Sequence, residues 1–239
     1  MTSIFGVPID AAYHLVFALS TVLTPVLGGL AAVAGIVLIT VALRLVLLPL
    51  SFRAMRGQAI AARLAPELQA LRTRYGKQPE RLQREMTALY KREGTSMFAG
   101  LSPLLLQWPL LSVMYLLFRS AQVGGRPNKL LSSDLLGVPL GSYWLRVTGV
   151  ADLVFLGLFA VLAVLCWLLS RTGRSMAPVT PAGGGGLAKV LPYLTVAVSA
   201  FAPLAAGIYL VTSTGWSVLE RRLFLRRTRP GAEPTPAPS

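Results

Sequence analysis

Residues 31–50 read AAVAGIVLITVALRLVLLPL, twenty residues whose only charge is Arg44. At about 1.5 Å of helical rise per residue the run covers the roughly 30 Å hydrocarbon core of a bilayer, so it reads as a membrane span. An arginine at the centre of such a helix costs about 2.5–3.5 kcal/mol on insertion scales. Two readings explain why the chain keeps it. Arg44 either snorkels to the headgroups or locks helices together by pairing with a buried carboxylate, or it lines a polar cavity that the protein uses. Pro49 and Arg53, just beyond, suit an early exit from the membrane.

Composition widens this reading to the whole chain. Of 239 residues, 54% are hydrophobic and only 13% charged, with a mean hydropathy of +0.63. That leaves too little polar surface to cover an ordinary soluble domain, and predicts a polytopic membrane protein. Lys plus Arg number 23 against 9 acids, a net charge of +14, and most of that charge lies in the connecting segments. In a membrane protein such charge points to anionic lipid headgroups or ribosomal RNA as partners, and DNA is not expected. The one histidine, His14, and the one cysteine, Cys166, cannot build a metal site or a disulfide within the chain. No metal, cofactor or enzymatic activity is expected. The opening MTSIFGVPID carries Asp10 rather than a basic stretch and has no lipobox cysteine, so neither a signal peptide nor a lipid anchor is expected.

In chain order, residues 1–28 predict an extracytoplasmic N-terminus with an interfacial helix. Asp10 caps that helix, Asp10 and His14 mark its polar face, and Pro25 with Gly28 and Gly29 ends it. A short extra span is the alternative. The first span is placed at 29–52. Residues 53–95 then hold ten Lys/Arg and four Glu. Within them Leu64, Leu68, Leu71 and Tyr75 recur at i, i+4, i+7 and i+11, and Leu82, Met86, Leu89 and Tyr90 repeat the stripe beyond a Gly76–Pro79 turn. Two amphipathic helices joined by a tight turn predict an antiparallel hairpin outside the membrane. The second span is placed at 98–119, where Gln107 is either interhelical glue or a cavity wall. A polar extracytoplasmic loop follows at 120–142, with Leu130, Leu131, Leu135 and Leu136 dipping toward the interface. The third span, 143–169, starts at an aromatic anchor of Tyr143 and Trp144. Residues 170–186 are a glycine-rich flexible loop, 187–201 and 204–220 two further spans, and 221–239 a basic, then disordered, tail. The expected fold is therefore all-α, with five transmembrane helices.

Orientation follows from the positive-inside rule. Ten basic residues in the hairpin, three at 171–189 and five in the tail stand against two in the 120–142 loop. The N-terminus is expected outside and the C-terminus in the cytoplasm.

Three stretches in this order resemble the YidC-type membrane protein insertases, a bacterial family with relatives in mitochondria and chloroplasts. They are LITVALRLVLLPLSFRAMR at 38–56, EMTALYKREGTSMFAGLSPLLLQWPLLSVMYLLF at 85–118, and FAPLAAGIYLVTSTGWSVLERRLF at 201–224. The hairpin between the first two strengthens the likeness, which runs from roughly residue 5 to 224. The resemblance implies five helices around a polar groove, open to the cytoplasm and to lipid but closed on the outer side. It carries the groove arginine over to Arg44, the second-span amide to Gln107, and the last-span aromatic to Tyr209, beside Ser213 and Thr214. The sequence departs from the family pattern at Leu210, where a second aromatic is common, at Thr214 for asparagine, at Glu220 for glutamine, and at Ser102-Pro103.

The implied activity is insertion and folding of client membrane proteins in the plasma membrane, alone or beside the Sec translocon. The partners implied are nascent membrane protein clients, with the translocon, the ribosome and anionic lipids as further candidates. In that reading water and backbone carbonyls keep Arg44 solvated without a paired carboxylate, and its charge attracts an acidic client tail. The alternative is a small-anion transporter or channel using Arg44 as its binding charge, which would ordinarily carry more midplane polar groups or an internal repeat.

Overall fold

The computed structural model describes residues 6–95, 112–120, 122–123, 125–146, 148–173 and 187–228. Gln107, most of the expected second span, the glycine-rich stretch at 174–186 and the end of the tail lie outside these residues.

The described chain is mostly helical. Helix α1 spans Gly6–Leu27 and α2 Ala31–Arg63, with a single 3-10 turn at Gly28–Leu30 between them. Gly28 turns the chain at φ +51°, a backbone state that an L side chain resists. Small residues then let the two helices touch. A Cβ placed on Gly35 would stand 3.2 Å from the Val16 carbonyl oxygen, and Ala12, Ala31 and Ala32 are buried around this contact. After α2 come α3 (Ala65–Tyr75) and α4 (Pro79–Arg92), a helical stretch α5 at 112–119, then α6 (Val150–Gly173), α7 (Leu187–Ala200) and α8 (Leu204–Thr228).

Three of the long helices run in the same direction. Arg44 of α2 meets Ser213 of α8, and eleven residues further along both chains Met55 packs on Phe224. Leu158 of α6 lies against Gly207 of α8, and Leu165 against Gly215, so α6 is parallel as well. Two described runs, Ile9–Arg63 and Ala151–Thr172, contain apolar windows long enough to cross a membrane. Large apolar side chains face outward along them, among them Leu38, Leu45, Val46, Leu153, Leu156 and Val164. A soluble protein would cover such a surface; a bilayer solvates it.

The starts of the parallel helices are gathered by the segment before α6. It folds into two small antiparallel hairpins: β1 (Gln122–Val123) with β2 (Arg126–Pro127), and β3 (Asp134–Leu135) with β4 (Val138–Pro139). Asn128 donates from Nδ2 to the carbonyls of Leu117 and Ser120 at 2.9 and 3.0 Å, closing the end of α5. The carbonyls of Ser142 and Leu140 accept the first amide N–H groups of α8, from Leu204 and Ala205, both at 2.9 Å. Leu130, Val138 and Leu140 sink into the main core beneath.

Helix limits differ from the sequence reading in three places. Helix α2 passes residue 52 without interruption and ends at Arg63, because its next turns still have a surface to pack on at Met55 and Ile60. Helix α6 begins at Val150 rather than near 143. Tyr143 is held in a bridge to Pro203, and Gly149, at φ +80°, donates its N–H to Asp152 at 3.1 Å and sets the helix start. Helix α8 continues past 220 to Thr228, stabilised by Phe224 stacked on Phe52 with ring centroids 6.2 Å apart.

Candidate functional site: the α2–α8 seam and the α3–α4 hairpin

The parallel contact between α2 and α8 keeps a constant offset of 169 residues, as between Arg44 and Ser213. Along α2 the buried polar residues are Thr40, Arg44, Ser51 and Gln58; along α8 they are Ser213, Thr214 and Glu220. Residues seven apart on an α-helix fall two turns apart on nearly the same face. The offset therefore stacks the seam in levels: Thr40 with Tyr209, Arg44 with Ser213, Ser51 with Glu220, and Met55 with Phe224 below. The face is polar for three levels and apolar at the fourth.

At the arginine level the guanidinium Nη2 donates to the Ser213 hydroxyl at 2.5 Å and to its carbonyl at 3.2 Å. The side chain is 6% exposed. The Ser213 carbonyl also accepts from the Ser217 hydroxyl at 3.0 Å, so Arg44 shares it with another donor. Tyr209 is buried with its hydroxyl beside Ser213. Thr214 is buried on the adjacent face of α8. Thus four of the five groove residues expected from the sequence, Arg44, Tyr209, Ser213 and Thr214, come together, and Gln107 lies outside the described residues.

Sequence reasoning missed the next level. Glu220 is 5% exposed; the indole Nε1 of Trp216, one turn earlier, donates to its carboxylate at 2.6 Å, and the Ser51 hydroxyl lies beside it. Arg44 is close enough for its charge to act on this carboxylate. The sequence reading has water and backbone carbonyls solvating Arg44 without a paired carboxylate; the structure adds the Ser213 hydroxyl and carbonyl beside it and, two turns along the seam, the carboxylate of Glu220. The missed signal was the seven-residue spacing itself, 44–51–58 on one helix and 213–220 on the other. An apolar recess of about 560 Å³ between Val37, Leu153, Leu158 and Ile208 holds none of the expected site residues.

The hairpin is built the opposite way. Leu64, Leu68 and Leu89 are buried together, with Ile60, Leu71, Met86 and Tyr90 packed against them. Tyr75 and Leu82, expected in the same stripe, stand outside this cluster near the Gly76–Pro79 turn and are half-buried. At the open end a salt bridge from Arg92 to Glu67 (3.1 Å) clips α4 to α3, and Arg63, the last residue of α2, pairs with Glu93 just past α4. Burial pushes the Tyr90 phenol above its ordinary pKa, with Arg72 pulling it back in part.

A helical membrane protein with a cation buried between α2 and α8, and a basic hairpin outside them, is the class that this geometry defines. The chain belongs to the 60Kd inner membrane protein family, whose pattern it matches over residues 22–231. It is similar to membrane protein insertase YidC of Clostridium tetani, with 38% identity over 88 residues, 37% of this chain and 40% of that protein. The YidC of Helicobacter pylori is 28% identical over 190 residues, covering 80% of this chain and 32% of the relative. That of Chlamydia caviae is 40% identical over 87 residues, 36% of this chain and 11% of the relative. The matched part spans two-fifths or less of the length of each of these relatives.

Proposed function

We propose that this protein is a membrane protein insertase that receives client segments from the cytoplasmic side and passes their polar ends across the bilayer along the α2–α8 seam. The observation that carries the reading is Arg44, buried in the seam and hydrogen-bonded through Nη2 to the hydroxyl and the carbonyl of Ser213 on a neighbouring helix. A serine is a partner that a client carboxylate can displace, because ionic hydrogen bonds exceed neutral ones by about a factor of two. Polar seam groups shorten the stretch of hydrocarbon that a client's polar tail must cross, and burial of the client's apolar segment in lipid supplies the driving force. Nothing in this cycle makes or breaks a covalent bond.

The reading takes the chain to cross five times. Helices α2, α6 and α8 are parallel, which supports one return crossing between α2 and α6 and another, through α7, between α6 and α8. In this arrangement α1 lies at the outer surface, the β1–β4 segment closes the outer end, and the hairpin and the end of α8 stand in the cytoplasm of a bacterium. The ten basic residues of the hairpin suit the cytoplasmic side. Clients are nascent membrane proteins; the Sec translocon, the ribosome and anionic lipids fit the same basic face. The small-anion transporter reading has no observation of its own in its favour.

The test is insertion of a single-spanning client with a short acidic outer tail into liposomes containing the protein. Arg44→Ala is expected to lower insertion roughly ten- to a hundredfold, the worth of an ionic hydrogen bond of about 1.5–3 kcal/mol, and Arg44→Lys to restore most of it. Equal insertion by Arg44→Ala and wild type would remove the arginine from the mechanism. No insertion by wild type would sink the function.

A further inference from the structure

A seam holding one cation and one carboxylate is close to neutral, and residue 220 is what makes it so. Glu220 is buried, aimed by the Trp216 indole at 2.6 Å and flanked by Ser51. Seven residues of α8 separate it from Ser213, about 10 Å along the axis. Both helices run on toward the hairpin end, so a segment entering from that end meets Glu220 before it meets Arg44.

We propose that Glu220 is a specificity-determining residue of the seam, setting which charge on a translocated client segment the Arg44 site accepts; the proposal rests on the insertase reading. With the Trp216 indole and the Ser51 hydroxyl as its donors, the Glu220 carboxylate, which has about four lone-pair sites, keeps acceptor capacity for further donors. It therefore competes with any incoming acid for the arginine's field and offers a landing point for an incoming lysine or arginine. A unit charge about 10 Å away, at an effective dielectric of about 20–40, changes the occupancy of a charged group roughly four- to fifteenfold. An uncharged polar residue feels no such factor. With an amide at this position the seam would be net positive and select for acids; with Glu220 it also accepts basic tails.

The experiment uses the full chain in liposomes with three clients that differ at one position of the translocated tail, carrying Asp, Asn or Lys. Wild type is compared with Glu220→Gln and Glu220→Asp, and the readout is the ratio of insertion yields within one preparation, which cancels any loss of folded protein. Glu220→Gln is expected to raise the Asp-to-Asn ratio about four- to fifteenfold and to lower the Lys-to-Asn ratio by a similar factor. Glu220→Asp is expected to keep the wild-type ratios. If Glu220→Gln changes all three yields equally, or none, the carboxylate only packs the seam, and the inference fails while insertion stands. If wild type inserts none of the three clients, the insertase reading falls and takes this inference with it.

Discussion

The α2–α8 seam and the α3–α4 hairpin place their inward-facing residues at helical spacing, but with opposite contents. Along the seam Arg44, Ser51, Ser213 and Glu220 face inward while Leu38, Leu45 and Val46 face out. In the hairpin Leu64, Leu68 and Leu89 face inward and the arginines face out. The reversal follows from the solvent. In water, burying an apolar side chain is favourable by about 1.5–3 kcal/mol, so the leucine stripe drives the hairpin together. In lipid that gain is absent, and helices associate through close packing and hydrogen bonds among groups that hydrocarbon cannot satisfy. The hairpin is held by what it hides from water, the seam by what it hides from lipid.

Three substitutions sharpen this contrast, in decreasing order of effect. Leu68→Ala removes the most buried side chain of the hairpin, 1% exposed, and is expected to cost about 2–5 kcal/mol there. Hydrogen exchange on the intact protein should show protection lost across residues 60–92 and retained in α8; loss in both would mean that the two regions unfold as one. Ser213→Ala takes away the hydroxyl that accepts from Arg44 while leaving the carbonyl. The expected cost is about 1.5–3 kcal/mol, seen as faster exchange along α8, with the hairpin unchanged. A drop confined to the hairpin would contradict the seam as drawn. Arg92→Ala breaks the ion pair to Glu67, whose partners are 65% and 55% exposed. Its effect should stay below about 1 kcal/mol and shrink further in 0.5 M salt, since an exposed pair is screened. A larger, salt-insensitive loss would show that charge rather than leucine holds the hairpin.

How far these features could be read beforehand depended on whether the signal was local. The span around Arg44 and the Leu64–Leu71 stripe announce themselves within a turn or two, through length and period. Arg44 stood out in its apolar run, but its serine partner was reachable only through family resemblance, because nothing near residue 44 names a partner 169 residues away. Glu220 stood in the sequence as a mere departure from pattern; its meaning comes from the offset that brings it level with Ser51. The helix ends were hidden for a related reason. Arg53 reads as an exit from the membrane, yet α2 continues because Met55 finds Phe224, a tertiary contact that outweighs local composition. Likewise Tyr143 and Trp144 look like the first turn of a span, but Pro203 and the start of α8 claim that stretch instead.

The pairing of the second helix with the last also sets a clock on the protein's own birth. Ser213 leaves the ribosome 169 residues after Arg44. At about 5–20 residues per second that is a wait of roughly 8–34 s. Throughout that interval the newborn chain holds a charged side chain in or near the bilayer without the serine and the carboxylate that will later surround it. Each copy of this protein thus begins life as a demanding client, one whose hardest residue arrives first and whose remedy arrives last.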